Sequence, residues 1–192
     1  MEVQVSGPYC IFGDKADSVF LVPIGKQKGV YLWTIPYEKK YLTYYVGQTG
    51  VSFAQRMSEH VQNHLSGFYR LYDPKEFAKG KKVLLWGGLW KSDRKDPAMM
   101  GEFLKDYQTF SLQILEFLKQ IRLFLIPIQG DRRIREHIEA GIASHFYEHP
   151  GVVGSFQNDD IRYKPRKPDE QSFLIKVNNS DLVMGLAEQV VI

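Results

Sequence analysis

The 192-residue chain has one cysteine, no long hydrophobic run and little net charge. Because Cys10 is alone, an intrachain disulfide and a cysteine-rich zinc site within one chain are excluded. The apolar stretch LFLIPI at residues 123–128 is too short to cross a bilayer, and residues 1–20 lack the apolar core of a signal peptide. These absences predict a cytoplasmic protein that does not enter a membrane.

The formal net charge of +3 is compatible with a polyanionic partner but is too small to demonstrate one. A hydrophobic fraction of 44% and a charged fraction of 24% are those of a soluble globular protein. The length suffices for a buried core and predicts a single domain over residues 1–192, without internal repeats.

Several segments are rich in β-favouring residues. Residues 3–12 and 18–24 predict an N-terminal strand pair around the turn-like GDKAD. GVYLWTIPYEKKYLTYYVG at residues 29–47 holds two β-rich runs on either side of a charged, proline-bearing turn, which is typical of a hairpin. IRLFLIPI at residues 121–128 is a candidate buried strand, and SFLIKV at residues 172–177 predicts a last strand.

Three segments have the apolar spacing of helices. Ser52 and Gln55 form a capping box in front of a helix expected at about residues 53–65. A second helix is predicted over residues 98–120, and a third from Asp131 to near Pro150, which cannot extend a helix.

These elements predict an α+β protein with a small central, mostly antiparallel sheet flanked by helices. We assign residues 1–26 to an N-terminal strand extension, residues 67–120 to an inserted helical and loop segment, and residues 159–192 to a C-terminal extension. Early in the insertion only KKVLLW at residues 81–86 looks like a strand.

Tyrosine, arginine and histidine side chains are expected to meet where the hairpin joins the first helix. Equal distances from the hairpin centre pair Tyr31 with Tyr45, which would put both phenols on one sheet face. Arg56 and His60 stand one helical turn apart at the edge of the apolar stripe.

The third helix contains two glutamates with different expected environments. Glu136 points nearly opposite the isoleucine stripe and is expected to be solvated. Glu139 lies at the border of the stripe, where a carboxylate can be partly shielded and still reach a metal ion. Glu139 is therefore the better candidate ligand.

This set of side chains suits phosphodiester hydrolysis. A phenol can orient or deprotonate water, an arginine can neutralise charge developing on phosphorus, and one carboxylate can hold Mg²⁺, which keeps water and phosphate oxygens as its other ligands. Each residue also has a simpler explanation, since strand tyrosines commonly pack and helix-edge charges are commonly solvated.

Their order along the chain resembles the GIY-YIG nuclease superfamily. The matching residues are GVY at residues 29–31, YVG at residues 45–47, Arg56 and His60 on one helix, and IEAGIASHF at residues 138–146 on a later one. The resemblance is strong over the hairpin and first helix and looser over the late strand and helix.

The resemblance implies a catalytic role for each residue. Tyr31 would be the general base or the phenol that orients water, and Tyr45 would position water or phosphate. Arg56 would stabilise the transition state, and His60 would have a supporting role as an acid or base or as a contact to the phosphate. Glu139 would be the single protein ligand of Mg²⁺, with Mn²⁺ as the substitute ion.

The chain departs from the family pattern in spacing. Thirteen residues separate Tyr31 from Tyr45, more than is usual in the family, and about 55 residues are inserted between the first helix and IRLFLIPI. The late asparagine of the family is assigned to Asn158, with Asn178 and Asn179 as alternatives. Gly29 and Gly47 would let the backbone pass close to the catalytic groups.

Two basic groups are candidates for DNA contact. The residues assigned to DNA binding are Lys81, Lys82, Lys91, Arg94, Asn158, Arg162 and Lys164. Phosphate contact is one interpretation, and solvated loop charges are the other, since aspartates are interspersed. Trp86 and Trp90 would stack on bases or, more commonly, pack in a core.

The sequence thus predicts a metal-dependent endonuclease that hydrolyses DNA with activated water. The alternative is a non-cleaving nucleic-acid-binding or interaction module with the same fold. A homodimer is a further expectation, because cutting both strands takes two active sites or two sequential events.

Overall fold

The computed structural model describes residues 1–89, 97–158, 161–178 and 180–192. Among the residues named above, Trp90, Lys91, Arg94 and Asn179 lie outside these ranges.

The described residues contain nine strands in three sheets. They are β1 (Glu2–Gln4), β2 (Ser6–Cys10), β3 (Gly29–Tyr37), β4 (Lys40–Thr49), β5 (Leu71–Tyr72), β6 (Leu84–Trp86), β7 (Arg122–Pro127), β8 (Leu174–Asn178) and β9 (Gln189–Val191). The central sheet has the order β2-β7-β3-β4 with every neighbour antiparallel. β1 and β9 flank β8, β1 in parallel, and β5 pairs with β6.

Six α-helices lie in the same ranges. They are α1 (Phe53–Leu65), α2 (Pro74–Phe77), α3 (Pro97–Lys105), α4 (Tyr107–Gln120), α5 (Arg132–Glu148) and α6 (Val152–Ser155). Helix α5 packs on β3 and β4, and α1 contacts α4. The protein is therefore α+β with a mostly antiparallel sheet, as predicted. None of the helices in the described ranges has the length and apolar character needed to cross a membrane.

The two middle strands of the central sheet are buried on both faces. Every residue from Val30 to Ile35 is at most 2% exposed, and Leu123 to Ile126 are at most 1% exposed. The apolar run of β7 was the signal for this position, and its prediction as a buried strand is confirmed.

The predicted second strand at residues 18–24 is wrong. Ser18 makes an isolated bridge with Cys10, and the chain then forms a 3-10 turn at Pro23–Lys26. Pro23 has no N–H for a ladder bond, which favours a turn over a strand. The predicted partner strand is divided into β1 and β2, which join different sheets.

The predicted hairpin exists, but its register differs. Tyr31 lies opposite Gly47, and Tyr45 lies opposite Trp33. Because Tyr31 and Trp33 are two residues apart on one strand, Tyr31 and Tyr45 still share a sheet face, as diagonal neighbours.

Two shifts in the hairpin produce this register. The last pair, Tyr37 with Lys40, places the turn half a residue later than expected. That shift alone would turn Tyr45 away from the face of Tyr31. The register then shifts again where Tyr44 is the extra residue of a bulge, which returns Tyr45 to that face.

The predicted insertion differs from its expected structure in two ways. The helix expected over residues 98–120 is divided at Asp106, whose φ of −106° and ψ of 15° interrupt the helical path between α3 and α4. Strand β5 and helix α2 were not predicted. Trp86 packs on Phe103 and Phe110 and donates a hydrogen bond to the carbonyl of Gly67, which supports the packing interpretation.

Candidate active site

Hairpin β3–β4 brings the two predicted phenols together above Gly47. The rings of Tyr31 and Tyr45 meet edge to face with centroids 5.9 Å apart. A Cβ atom on Gly47 would lie 2.5 Å from the Tyr31 hydroxyl and 2.7 Å from the Tyr45 hydroxyl. Gly47 is therefore needed because the two side chains close over its Cα atom, as expected, whereas Gly29 is pressed against the backbone of β7.

Helix α1 directs Arg56 and His60 towards these phenols. The Ser52 side chain accepts a hydrogen bond from the backbone N–H of Gln55, which confirms the predicted cap. One turn later, Arg56 Nε donates to the Tyr31 hydroxyl over 3.3 Å, and His60 Nε2 lies 2.8 Å from the same hydroxyl. The Tyr31 oxygen is thus the point where the hairpin and α1 meet.

Burial determines the protonation of the two phenols. Tyr31 is 0% exposed, and burial raises its pKa to about 12 despite the charge of Arg56. Burial and the neighbouring Tyr31 also raise the pKa of Tyr45. Both residues are phenols at neutral pH, and only Tyr45 reaches solvent.

Arg56 is charged and His60 is neutral. Burial opposes the charge of Arg56, but attraction to Tyr31 and hydrogen bonds to Tyr31 and Glu59 outweigh it and raise its pKa. Burial lowers the pKa of His60, and Arg56 and His64 lower it further. His60 is therefore neutral and can accept the Tyr31 proton at Nε2, which places its own proton on Nδ1.

Glu139 of α5 lies close enough to both phenols to interact with them electrostatically. It is partly buried and accepts a hydrogen bond from the backbone N–H of Gln48 on β4. Burial raises its pKa to about 7, which outweighs the lowering by Gln48 and Arg56. The predicted partial shielding is confirmed.

The donor set near Glu139 fits a magnesium ion. No group of three histidine, cysteine, aspartate or glutamate side chains that could hold a metal occurs in the described parts of the chain. Mg²⁺ does not require such a group, because it is commonly held by one or two carboxylates with water and phosphate oxygens. Burial raises the pKa of Glu139 although Arg56 and Lys164 lower it, so these two cations compensate only in part for the burial of its carboxylate.

Glu136 is not solvated, contrary to the prediction. It is 7% exposed and receives ion pairs from Arg132, Arg133 and Lys164. Burial alone would raise its pKa, but the hydrogen bonds from Arg132 and Lys164 lower it. A helical wheel considers only α5 itself. It therefore misses the segment that carries Lys164, which covers the face of α5 where Glu136 lies.

A cleft of about 320 Å³ opens beside these residues, and we call it the aromatic cleft. Tyr45, Arg56 and His60 form its wall on the catalytic side. Other residues that line it are Trp33, Tyr44, His64, Tyr69, Arg70, Asn158 and Arg162. Tyr31 is completely covered and does not reach this space.

The residues assigned to DNA binding have separate locations. Asn158 and Arg162 line the aromatic cleft, and the backbone N–H of Asn158 donates to the carbonyl of Tyr44. Lys164 pairs with Glu136. Lys81 Nζ lies 4.0 Å from Glu76 Oε2, and Lys82 Nζ donates a hydrogen bond to the Gln157 carbonyl. Lys91 and Arg94 lie outside the described residues.

Tyr163 is a site residue that sequence reasoning missed. Its hydroxyl donates to the carbonyl of Val46 on β4 over 3.1 Å. Burial raises its pKa, and Tyr147 and Glu139 add to this effect. The only available signal was one aromatic residue within a polar, charged segment.

No family model, curated protein or solved structure matches this chain.

Proposed function

We propose that the protein is a metal-dependent endonuclease that hydrolyses phosphodiester bonds of DNA with activated water. The observation that carries the proposal is the meeting of Arg56, His60 and Tyr45 around the Tyr31 hydroxyl, with Glu139 beside the same pair of phenols. The residues come from four elements, so their meeting is not explained by the packing of any one element.

The burial of Tyr31 assigns it the roles of positioning its neighbours and relaying a proton between them. A side chain with no exposed surface cannot touch water or phosphate in the cleft. Tyr31 instead holds the Arg56 guanidinium and the His60 ring by hydrogen bonds, while Tyr45 presents its hydroxyl to the attacking water. Of the two roles that the resemblance implies for Tyr31, a phenolate base is disfavoured by its pKa of about 12.

In the proposed step, the water oxygen forms a bond to phosphorus as the bond to the leaving oxygen breaks. The water proton moves to Tyr45, the Tyr45 proton to Tyr31, and the Tyr31 proton to His60 Nε2, which the Tyr31 hydroxyl already faces. A bound phosphate makes His60 more basic because its negative charge opposes the lowering of the His60 pKa by Arg56. The leaving oxygen takes a proton from solvent, and His60 returns its proton to solvent through the cleft that it lines.

The charge on phosphorus is met by Arg56, whose raised pKa keeps it cationic. Mg²⁺ or Mn²⁺, when bound at Glu139, would supply Lewis-acid polarisation of the phosphate oxygens. Glu139 is held for this by the N–H of Gln48, which fixes the direction of its carboxylate.

A plasmid-nicking assay with Mg²⁺ tests the proposal. Wild type is expected to nick supercoiled DNA, and Glu139→Gln or Arg56→Ala to be slower by about a hundredfold or more. Tyr31→Phe should be impaired with unchanged Mg²⁺ dependence. Glu148→Gln is the matched control, since Glu148 is an exposed carboxylate at the far end of α5.

Equal nicking by wild type and Glu139→Gln would contradict the catalytic assignment. Salt-sensitive DNA binding without cleavage would favour the non-cleaving module instead. A homodimer is proposed only for double-strand cutting, and sedimentation of the protein with and without DNA would test it.

A further inference from the structure

The aromatic cleft combines flat rings with guanidinium groups. Trp33 and His64 stack with centroids 5.7 Å apart and an angle of 25°, and Tyr69 meets His64 edge to face at 5.2 Å. Arg70 and Arg162 line the same space. A matching ligand is planar and aromatic and carries an anionic group, which is the chemistry of a nucleotide.

Two ring nitrogens in this wall lack partners. Trp33 and His64 are 2% and 7% exposed, and neither Trp33 Nε1 nor His64 Nδ1 has a hydrogen-bond partner in the described parts of the chain. Buried polar groups are nearly always satisfied, so such a pair in a merely packed core is unfavourable. Both nitrogen atoms are covered, so a nucleotide in the cleft contacts the exposed atoms of these rings, and the edge of its base pairs with either nitrogen only if the ring shifts.

The size of the cleft restricts what can enter. About 320 Å³ is at the lower end of the range for ligand pockets, roughly 300–1,000 Å³. That space suits one nucleotide and is too small for a base pair within a duplex. A strand can use it only where a base is unpaired or has left the stack.

We propose that the aromatic cleft holds one unpaired nucleotide of a nucleic-acid strand, directly beside the cleavage site. The inference rests on the proposed function in taking the scissile phosphate to lie against Arg56, which the cleft shares with the catalytic residues. The substrate class is therefore single-stranded DNA, or duplex DNA with an unpaired nucleotide.

The cleft is built by segments outside the hairpin and α1 as well as within them. Tyr69 and Arg70 belong to the predicted insertion, and Asn158 and Arg162 follow α5. The hydroxyl of Tyr69 accepts a hydrogen bond from Asn63 Nδ2 over 3.1 Å, so α1 fixes the ring position. Tyr69 is half-buried and is the ring on which a base can stack.

Binding of labelled oligonucleotides of one sequence, measured by fluorescence anisotropy, tests the inference. The three forms are a fully paired duplex, a duplex with one unpaired nucleotide, and a single strand. The protein carries Glu139→Gln so that cleavage does not alter the DNA. We expect both forms with unpaired bases to bind about tenfold tighter than the paired duplex, the size expected for one stacked base.

Variants of Tyr69 separate stacking from folding defects. Tyr69→Ala should abolish the preference, whereas Tyr69→Phe, which keeps the ring and loses only the bond to Asn63, should retain it. Tyr107→Ala is the matched control, because Tyr107 is a 40% exposed tyrosine of the same insertion and does not line the cleft. It should leave the preference unchanged.

The outcomes distinguish this inference from the proposed function. Equal affinity for all three forms, or a preference that survives in Tyr69→Ala, overturns the inference even where wild type cuts DNA. A preference that depends on Tyr69 in a protein that never cuts DNA supports the cleft and rejects the nuclease. Tight binding of a nucleoside monophosphate with no binding of any strand also overturns the inference.

Discussion

Gly47 determines how closely the two phenols approach each other. A Cβ atom there would lie 2.5 Å from the Tyr31 hydroxyl, well inside van der Waals contact. Gly47→Ala is therefore expected to displace both phenols, to lower the free energy of unfolding by about 1–3 kcal/mol and to reduce nicking about a hundredfold. Urea unfolding and the nicking rate check the two effects separately.

Gly101→Ala is the control for Gly47→Ala. Gly101 lies within helix α3, and no atom lies within 4 Å of the position that its Cβ would take. Alanine should raise the stability there by about 0.5–1 kcal/mol, because it favours the helix. If both variants changed the free energy of unfolding and the nicking rate similarly, the close contacts above Gly47 would not be the cause of either effect.

The raised pKa of Glu139 predicts a conflict between stability and function. The pKa of Glu139 is about 7 in the folded protein and exceeds the ordinary value of 4.5. Its preference for the proton therefore contributes fully to the free energy of unfolding below about pH 4.5, and this contribution is lost as the pH rises through 7. Glu139→Gln should be more stable than wild type by about 2 kcal/mol at about pH 8, and by less at about pH 5. Thermal unfolding at both pH values measures this difference.

Magnesium provides an independent check on Glu139. A cation that binds the folded state should raise the melting temperature of wild type at about pH 8 and should affect Glu139→Gln less. Binding should weaken below about pH 7, where the carboxyl group holds its proton. A Mg²⁺ effect that is identical in the two proteins would place the ion elsewhere.

At the scale of elements, the cap of α1 stabilises the helix that carries Arg56 and His60. Ser52 accepts the N–H of Gln55, so Ser52→Ala should lower the free energy of unfolding by about 1 kcal/mol. Ser58→Ala on the same helix should change it by less than about 0.5 kcal/mol, since helix interiors favour alanine. Urea unfolding of the two variants compares them directly, and equal losses would argue against the cap.

The sequence predicts these elements unevenly. Helix α1, expected at about residues 53–65, is confirmed as Phe53–Leu65, because its cap and its apolar spacing are both local signals. The division at Asp106 and the 3-10 turn at Pro23–Lys26 were missed, since apolar spacing continues across both. Local patterns thus predict where an element begins more reliably than whether it is interrupted.

At the scale of the whole molecule, hydrogen bonds and an ion pair hold residues 161–170 against α5 and β4, beside the candidate active site. Arg133 of α5 donates from Nε and Nη2 to the two carboxylate oxygens of Glu170, over 2.8 and 2.7 Å, and the Tyr163 hydroxyl bonds to β4. These contacts hold Arg162 in the wall of the aromatic cleft. The ion pair therefore contributes to the site without touching it.

Glu170→Gln should release this segment. Trypsin is expected to cut after Arg162 and Arg166 roughly three- to tenfold faster than in wild type, because cleavage follows the open fraction of the segment. Asp169→Asn is the control, since Asp169 is the exposed neighbouring carboxylate. Mass spectrometry of the early fragments identifies the cut sites, and an unchanged rate would show that the ion pair does not hold the segment.

The sequence by itself determined the α+β class, the strand β7 and the helix α1, because these depend on short-range spacing, and it proposed the five candidate catalytic residues from their order along the chain. Tertiary structure decided how the residues meet. The bulge at Tyr44 keeps Tyr45 on the face of Tyr31, and packing removes Tyr31 from solvent. Burial also sets the pKa of Glu139, and distant segments complete the aromatic cleft. Register, desolvation and contacts between distant segments arise only when the whole chain packs, so no local pattern encodes them.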